Sequence, residues 1–539
     1  MGKRTTDEKR DRAVEGEDIE LDLAASPAGQ PAERERKRKI KEGETRADAK
    51  EEEELEFEDP YGDEFDEEEA LAAEMNDAAT SESDEEEEDN DGEKEKDELE
   101  VVTRAWRPGV DSLAEDEELD FDPSAYEMLH RATMEWSCLS FDIIRDPHAA
   151  LRTKPPYTAY VVGGTQAETA SGNRLFIMKW SDLHKTNKDA KDSDNDDSDD
   201  ESDDEGSDED PKLDFRIIAH RGTVNRVRCC PQMNRLVATW SDLGEVNVWD
   251  IDKQIKRLDD PGAAGPPPTP HQPPKFTYKG SGVEGYAVDW NPVHTGKLLT
   301  GDVEGSVCLW EPQEGGWGVS RIINPANKKS KKMPAARFAG VSDGATVEET
   351  QWKIGGSGAG DVFATASNDG GIRMYDTRSS ASAPSLALVH AHNSDVNALR
   401  WSPVHHDLLL SGDEDGCVKV WDERYGEVPL VVMHWHKKPI TSVDWHPTDE
   451  ATFATSALDD SVALWDMSVE VDEDAVERER ASTGAAKNDK EDENTMPEQL
   501  MFLHLGQEHI SEIKFHPQIH GVVISTACDG FNFFKTCNI

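Results

Sequence analysis

Serine, histidine and aspartate recur at fixed spacing in the second half of the sequence, where they could supply a nucleophile, a general base and an orienting acid. Ser411 stands nineteen residues after His392 and four residues before Asp415. The same interval separates His436 from Thr455. A hydrolase needs such a set only once, so its recurrence in successive segments favours structural hydrogen bonding over catalysis.

Other motifs with chemical potential lack the partners that the chemistry would need. The glycine-rich stretch 355–360 has no Lys-Ser/Thr pair of the kind that completes a phosphate-binding loop. The histidines at 405–406 and 434–436 have no cysteine or acid at metal-ligand spacing. The seven cysteines form no CxxC pair, which favours thiols in a reducing compartment. The sequence therefore predicts no enzyme, metal site or cofactor.

Serines flanked by acids form a second class of reactive residue. They lie in the run "DSDNDDSDDESDDEGSDED", where each serine is followed by an acid three residues later. Acid-directed kinases recognise that spacing, and each phosphate would add about −1.5 to −2 charges. The competing interpretation is a solubilising loop whose serines only interrupt the acids. The candidate phosphorylation sites are Ser193, Ser198, Ser202 and Ser207.

The net charge of the chain indicates the class of partner that it would bind. It has 115 Asp+Glu against 58 Lys+Arg in 539 residues, a formal net charge of −57. Such a chain lacks the cations that displace counterions from nucleic acid, so we expect no direct nucleic-acid binding but a basic protein partner. No apolar run approaches the roughly 20 residues of a membrane span.

Residues 1–100 are glutamate-rich with few aromatics, and they are expected to be a disordered acidic tail. The tail contains one basic run at 34–41. Importin binding, and hence nuclear import, is the functional interpretation of this run, and a helix of mixed charge is the alternative. The residues concerned are Arg36, Lys37, Arg38 and Lys39.

Internal repeats predict the fold. Five segments end in alternating apolar residues and an aromatic followed by an acid or its equivalent, and the endings at 376, 422 and 466 are spaced by 46 and 44 residues. That interval is close to the 40–45 residues of a propeller repeat. Each segment also contains two earlier strand-like runs and a later one. The five endings are "GEVNVWD", "GSVCLWE", "GGIRMYD", "GCVKVWD" and "DSVALWD".

These segments resemble WD repeats, and with a degenerate first and last copy they predict an all-β fold. The expected architecture is a seven-bladed WD-repeat β-propeller over residues 138–539, built of four-stranded blades. The resemblance also implies a buried hydrogen-bond network in each blade. Its members here are His392, Ser411, Asp415 and Trp421 in one repeat, and His436, Thr455, Asp459 and Trp465 in the next.

Aligning the repeats places the insertions. The acidic stretches 189–210 and 471–497 and the proline-rich stretch 261–274 all fall between the third and fourth strands of their blades. Equivalent loops of a propeller emerge on the same face. Both acidic insertions, in the first and sixth blades, are therefore expected on one face of the disc.

The segment before the ring has two open questions. The last repeat shows only three strands, so a strand from the N-terminal side must close the ring, and either 138–144 or 101–106 could serve. Residues 138–144 could equally open blade one. Asp122-Pro123 is a good helix start, and apolar residues follow at helical spacing from Tyr126. We therefore expect a linker and helix over 101–137 that pack on the propeller.

This segment, "DFDPSAYEMLHRATMEWSCLSFDIIRD", resembles the N-terminal helix of the histone-binding WD proteins of the retinoblastoma-binding and chromatin-assembly type. In that family a helix and an acidic loop of the sixth blade grip a histone helix. The resemblance implies that Asp492, Glu493 and Glu498 contact client cations. It also implies an apolar groove beside the helix, lined by Tyr126, Leu129 and Met501.

A closer resemblance is to the glutamate-rich WD-repeat proteins, carried by the tail, by "AWRPGV…EELDFDPSAYEMLHRA", by "CLSFDIIRD" with "AYVVGGTQAE…NRLFIMKWSDLH", and by the acidic sixth-blade loop. It covers about residues 100–539. It implies a nucleolar chaperone, partly cytoplasmic, dedicated to a basic ribosomal protein, the third of the large subunit.

Two other functions share the same features. A histone chaperone or a component of a chromatin complex would use the same helix and loop. A substrate receptor of a cullin ubiquitin ligase is the third hypothesis, since "YDTR" (375–378) and "VWDER" (420–424) match the WDxR pattern that binds the ligase adaptor.

Overall fold

The computed structural model describes residues 123–146, 150–186, 211–262, 269–280, 282–323, 337–338, 345–380, 382–469 and 496–539. The chain separates into two units, residues 1–100 and 101–539. The acidic tail, its basic run and the four candidate phosphorylation sites lie outside the described residues, so the predictions about them stay predictions.

The described residues form 28 strands in seven four-stranded antiparallel sheets. The N-terminal strand β1 is Tyr126–Thr133. Blade one contains β2 (Cys138–Ile143), β3 (Tyr157–Thr165), β4 (Arg174–Leu183) and β5 (Lys212–Ala219). Blade two contains β6 (Val224–Cys229), β7 (Leu236–Ser241), β8 (Val246–Asp250) and β9 (Phe276–Tyr278). Blade three contains β10 (Gly285–Trp290), β11 (Leu298–Asp302), β12 (Val307–Gln313) and β13 (Gly316–Ile323).

The remaining blades repeat this arrangement. Blade four contains β14 (Val347–Trp352), β15 (Val362–Ser367), β16 (Ile372–Asp376) and β17 (Leu386–Leu388). Blade five contains β18 (Val396–Trp401), β19 (Leu408–Asp413), β20 (Cys417–Asp422) and β21 (Val431–His434). Blade six contains β22 (Ile440–Trp445), β23 (Thr452–Ala457), β24 (Ser461–Asp466) and β25 (Leu500–His504). Blade seven contains β26 (Glu512–Phe515), β27 (Val522–Ala527) and β28 (Gly530–Thr536), and β1 completes it.

The prediction of a seven-bladed, all-β propeller is confirmed. The aromatic residues that end the repeats lie in third strands and are buried between neighbouring blades, as the β-propeller pattern requires. They are Trp249, Trp310, Tyr375, Trp421 and Trp465.

Antiparallel order gives the disc two distinct faces. We call the face where the first strand of each blade begins the N face, and the face where that strand ends the C face. Links from third to fourth strands lie on the C face, so the chain leaves for 187–210 and for 470–495 from that side. The link from β13 to β14, which includes the undescribed residues 324–336 with their "KKSKK", joins strand ends on the N face.

The predicted N-terminal helix is wrong. Residues Tyr126–Thr133 form β1, which pairs antiparallel with β28 along its whole length. Tyr126 and Leu129 contact one core cluster and Met128 another, so the strand is buried on both sides. A strand with two buried faces loses the polar–apolar alternation that distinguishes it, and its apolar residues can then fall at helical spacing.

This strand also answers the question of ring closure. Neither predicted donor is the closing strand among the described residues. Residues 138–144 supply β2, the first strand of blade one, which is the other interpretation of that run, and 101–106 lie outside the described residues. Pairing of β1 with β28 satisfies the outer edge that blade seven would otherwise expose.

The only α-helix among the described residues is α1 (Asp252–Asp259), in the link between β8 and β9. It buries Gln254 and Leu258 against blades one and two. Within the described part of the chain, no helix has the length and apolarity needed to cross a bilayer.

Candidate functional site

The predicted apolar groove is part of the propeller core. Tyr126 and Leu129 are buried with Ile513, Phe534 and other core residues, and the half-buried Met501 packs against the same cluster. The Tyr126 hydroxyl hydrogen-bonds His504 Nδ1 at 2.8 Å. These side chains seal blade six to blade seven, which leaves no open groove at Tyr126 and Leu129.

The predicted acidic grip is only partly within the described residues. Glu498 is exposed, just before β25. Asp492 and Glu493 lie outside the described residues. Their role in client binding stays a prediction.

In blade five the histidine, serine and tryptophan form the expected network with a different aspartate. His392 Nε2 lies 2.7 Å from Ser411 Oγ, and Trp421 Nε1 donates to the same oxygen at 2.8 Å. The carboxylate beside His392 Nδ1 is that of Asp413, at 2.8 Å. The assignment of Asp415 to this network is therefore wrong. Asp415 is exposed, because the turn after β19 places the nearer acid, two residues after the serine, against the histidine.

Blade six contains the network as expected. His436 Nε2 lies 2.7 Å from Thr455 Oγ1, which also accepts from Trp465 Nε1 at 2.9 Å. His436 Nδ1 lies 3.1 Å from Asp459, to which Ser461 also donates. Each side chain of this network thus has a partner, and the threonine oxygen that a nucleophile would need is occupied.

A metal site in blade five is the other chemistry this geometry offers. His392, Asp413 and Cys417 place ligand-type atoms within 4.8 Å of one another. Both ring nitrogens of His392 are already engaged by Ser411 and Asp413, and burial lowers the pKa of the histidine even though Asp413 acts to raise it. The set is better explained as a structural hydrogen-bond network.

Inside the central channel, Glu512 of blade seven links its own blade to blades one and two. One of its oxygens accepts from Ser140 Oγ at 2.7 Å and from the Phe141 N–H at 2.9 Å, both in blade one. The other lies 2.8 Å from Arg228 Nη1 of blade two. Burial acts to raise the pKa of Glu512, but Arg228, Lys514 and Arg226 lower it to about 2. This carboxylate therefore joins three blades across the seam where the ring closes.

At the C face the channel opens into a cavity of about 320 Å³, which we call the C mouth. Each first strand contributes its penultimate residue to the lining. Charges alternate around the ring except at the glutamine of blade four. In blade order the seven residues are Asp142, Arg228, Asp289, Gln351, Arg400, Asp444 and Lys514.

The three aspartates of this ring each link their own blade to the next one. Asp142 accepts the N–H of Cys229 at 2.6 Å, and Asp444 accepts that of Phe515 at 2.8 Å. Those N–H groups lie on the inner edges of first strands, which have no neighbouring strand inside the channel. The ring therefore uses its acids to satisfy backbone donors that an open strand edge would leave unpaired.

The N face carries a different arrangement, which sequence reasoning missed. Carboxylates from blades two to five border the channel where first strands begin or second strands end. We call this set the N-face arc. Glu284, Glu348 and Asp395 are half-buried, and Asp242 and Glu414 are exposed.

Electrostatics indicate that these carboxylates act on one another. Burial, and then the charges of Glu284 and Glu348, raise the pKa of Tyr286 in their midst. Burial raises the pKa of Glu348, and the charge of Asp395 adds to it. Burial also raises the pKa of Asp395, reinforced by Glu414. A bound cation would relieve this repulsion, so the arc is suited to a basic ligand.

The signal for the arc is present in the repeats. In "VEGYAVDW", "VEETQW" and "SDVNALRW" an acid stands at or next to the first residue of the first strand. Its significance depends on knowing that those positions converge at one end of a channel, which the fold supplies.

Comparison with family models agrees with this architecture. Residues 116–184 match the family of the histone-binding protein RBBP4, which is also that of the C component of the CAF1 complex. Residues 384–422 and 427–466, in blades four to six, match the WD domain, G-beta repeat.

Relatives cover most of the chain. It is 38% identical over 456 residues to the protein HEAT STRESS TOLERANT DWD 1 of Arabidopsis thaliana, covering 81% of this chain and 92% of that one. It is 39% identical over 443 residues to glutamate-rich WD repeat-containing protein 1 of Dictyostelium discoideum, covering 81% and 85%. It is 35% identical over 443 residues to ribosome assembly protein rrb1 of Schizosaccharomyces pombe, covering 80% and 84%. With this identity over most of each relative's length, the chain belongs to the family of glutamate-rich WD-repeat proteins.

Proposed function

We propose that this protein is a ribosome-assembly factor that acts in the nucleus, and in the nucleolus within it, as a dedicated chaperone for a basic protein of the large ribosomal subunit. The observation that carries the proposal is the N-face arc, a set of mutually repelling carboxylates at one end of the channel. Ribosomal proteins present RNA-binding cations that must be shielded before assembly, and carboxylates compete for those cations reversibly.

The name of the fission-yeast relative supports the assembly role, and the composition supports the basic client. The insertions that start from the C face add to the acidic character of the molecule. Residues 187–210 contain fourteen acids and two lysines, and 470–495 contain ten acids and four basic residues. A basic protein would therefore be attracted over long range before it docks by shape.

The proposed activity is binding and release, without a catalytic step. The serine, threonine and histidine sets of blades five and six are fully engaged in hydrogen bonds. The relatives' names and the WD scaffold agree with a protein that works through interactions.

A histone chaperone is the second candidate, and the match of residues 116–184 to the histone-binding family favours it. Histones are as basic as ribosomal proteins, so the N-face arc alone does not distinguish these clients. A cullin-adaptor partner has less support. Arg424 of "VWDER" is exposed but forms an ion pair with Asp422 at 2.5 Å, which a competing partner would have to break.

Affinity capture from a nuclear extract tests the proposal. The full-length protein is compared with a variant in which Glu284, Glu348 and Asp395 are changed to lysine. We expect the wild type to retain a basic large-subunit ribosomal protein at moderate salt and the variant to lose it, with bound proteins identified by mass spectrometry.

The matched control changes three exposed acids of the C face, Glu311, Glu314 and Glu427, to lysine, which gives the same net charge. Capture of histones in place of a ribosomal protein would favour the second candidate, and a cullin adaptor would favour the third. Equal loss in both variants would mean that net charge, rather than the N-face arc, determines binding.

A further inference from the structure

The opening of the C mouth is lined by a second ring of side chains, three residues after the charged ring in each blade. We call this set the rim. In five blades the rim residue is a proline and in blade four it is Ile354, and all six are half-buried. Blade one places Arg145 at the equivalent position, so the rim is apolar except for one cation. The five prolines are Pro231, Pro292, Pro403, Pro447 and Pro517.

Arg145 has no partner for its charge. The residue is exposed, and among the described residues no hydrogen bond or ion pair engages its guanidinium. The cavity wall desolvates the guanidinium and so lowers the pKa of Arg145; Arg400 acts in the same direction, whereas Asp142 and Asp444 act to raise it. Because Arg400 and Asp444 belong to blades five and six, the side chain of Arg145 extends over the opening. An arginine stays charged at neutral pH even so.

The other basic residues of the cavity lining are already paired with carboxylates. These ion pairs connect different blades and account for two of the three acids of the charged ring. They are Arg228 with Glu512 at 2.8 Å, Arg400 with Asp444 at 2.7 Å and Lys514 with Asp142 at 3.1 Å. Within the described lining, Arg145 is therefore the one base that no ion pair neutralises.

The third acid of the charged ring, Asp289, does not offset this charge fully. It lies in blade three and forms no ion pair with Arg145 among the described residues. Burial raises the pKa of Asp289 to about 7, and Glu349 adds to the effect, whereas a backbone N–H and two arginines act to lower it. A substantial fraction of Asp289 is thus neutral at pH 7, and the C mouth keeps an excess of positive charge.

We infer that the C mouth binds a monocarboxylate that carries an apolar body. The carboxylate pairs with the guanidinium of Arg145, whose fork of N–H donors matches two carboxylate oxygens. The apolar body packs against the prolines and Ile354 of the rim, which removes apolar surface from water. A monoanion fits better than a phosphate dianion, because Asp142 and Asp444 act on Arg145 and would repel a second negative charge.

The size and lining of the cavity distinguish this ligand from the acids of the chain itself. A volume of about 320 Å³ is at the lower end of small-ligand pockets. The acidic insertion 187–210 starts from the same face but contains no aromatic or branched aliphatic residue. Its side chains could offer a carboxylate to Arg145 but nothing to the rim, so a ligand with an apolar body is preferred.

Three probes of nearly equal size test the inference on the full-length protein: benzoate, benzamide and benzylammonium. Binding is measured by saturation-transfer NMR and by titration at pH 7 and low salt. A chain with a formal net charge of −57 repels anions in general, so saturable benzoate binding requires a specific site. We expect benzoate to saturate and to bind at least about tenfold more tightly than the other two, the effect of a charged hydrogen bond.

Acetate measures the contribution of the rim, since it carries the same charge without an aromatic ring. It should bind more weakly than benzoate. Benzoate that does not saturate, benzamide or benzylammonium that binds as tightly as benzoate, or acetate that binds equally well overturns the inference.

The variant Arg145→Gln locates the site. Arg145 has no partner among the described residues, so the variant should unfold at the wild-type temperature while benzoate binds at least about tenfold more weakly. Arg145→Lys keeps the charge without the fork and should restore part of the affinity. The matched control is Arg235→Gln, which removes an exposed arginine of the same face that does not line the cavity. Wild-type affinity in Arg145→Gln, or equal loss in the control, would contradict the assignment.

The peptide acetyl-Gly-Phe separates two sources of the carboxylate. With a free C-terminus, tighter binding than benzoate identifies the C-terminal residue of a protein partner, and weaker binding identifies a small aromatic acid. The same peptide with an amidated C-terminus should not bind, and equal binding of the two forms would contradict recognition of a carboxylate. The inference is independent of the proposed client. Arg145→Gln should leave client binding at the opposite face unchanged, so either proposal can fail without the other.

Discussion

The two mouths of the channel are built from the same seven first strands but have opposite electrostatic designs. At the N face, Glu348 and Asp395 of the N-face arc stand next to the first residue of their strands, and their charges repel one another. At the C mouth, acids and bases alternate and mostly pair, as Arg400 does with Asp444 at 2.7 Å. Three to five residues along a strand, roughly 10 to 17 Å, separate the two arrangements.

This difference shows how a repeat protein can present distinct surfaces without changing its fold. An acid near the strand start is not needed to accept a backbone N–H of the next blade. Several acids can therefore occupy these positions and remain available to a basic partner. An aspartate at the penultimate position of a first strand accepts a backbone N–H from the first strand of the next blade. These acids therefore have a structural role. Among the three ring aspartates, Asp289 alone has a carboxylate oxygen without a partner in the described part of the chain.

Glu512 lies inside the channel, between the N-face arc and the ring of the C mouth. Removing its charge should have the largest effect of the changes considered, a loss of unfolding free energy. Glu512→Gln keeps the hydrogen bonds from Ser140 and Phe141 but leaves the buried Arg228 without its charge partner. We expect a loss of unfolding free energy on the order of 3 kcal/mol, measured by urea denaturation at pH 7. A loss below about 0.5 kcal/mol would mean that the seam does not depend on this ion pair.

The effect has a defined pH dependence. The pKa of Glu512 in the folded state, about 2, lies below its usual value. The stability it contributes is therefore present above the unfolded pKa of about 4.5 and is lost as pH falls through 2. The gap between wild type and Glu512→Gln should shrink as pH is lowered from 5 to 2, and a gap that widens instead would contradict this account.

Charge reversal in the N-face arc should have the next largest effect. Changing Glu284, Glu348 and Asp395 to lysine should weaken binding of the purified basic client about 100-fold at low salt, equal to about 2.7 kcal/mol. The loss should become smaller as salt rises, because these groups are partly exposed. Fluorescence anisotropy of a labelled client measures it, with the C-face variant Glu311→Lys, Glu314→Lys, Glu427→Lys as control.

Reversal of the sixth-blade acids tests the grip implied by the histone-binding resemblance. With Asp492, Glu493 and Glu498 changed to lysine, we expect about tenfold weaker client binding in the same assay, since the N-face arc would retain the client. A loss larger than that of the N-face arc variant would mean that the sixth-blade loop is the principal site, and no loss would mean that this loop does not contact the client.

The repeats predict the architecture because they depend on local pattern. Each blade contains strand, turn, strand, turn and an aromatic at fixed spacing, so the strand order and the C-face position of the insertions follow from alignment alone. The network around His436 could be anticipated from the resemblance to WD repeats, because its residues occupy the matching positions of the repeat. The choice between Asp413 and Asp415 could not, because both are acids in one turn and only its conformation decides which faces His392.

Features that depend on distant partners could not be predicted. The strand β1 has the apolar spacing of a helix, and only its pairing with β28, at the other end of the propeller sequence, makes it a strand. The N-face arc and the unpaired Oδ1 of Asp289 likewise emerge from residues of several blades that meet at the channel. Residues of such a group are far apart in the sequence, so the sequence does not show that they are neighbours. They come together only when the ring closes.

A change at Tyr126 should affect the stability of the propeller without affecting client binding at the ends of the channel. Tyr126→Phe removes the hydroxyl that bonds His504 Nδ1 and keeps the ring that packs edge-on against Phe502 and Phe534. We expect a loss of about 1 kcal/mol in unfolding free energy, the usual worth of one buried hydrogen bond. Because Tyr126 lies in the core that closes the ring, client affinity should stay at the wild-type value. If affinity for the client falls while stability is unchanged, Tyr126 lines a binding groove after all, and the rim would have to be added to the N face as a client surface.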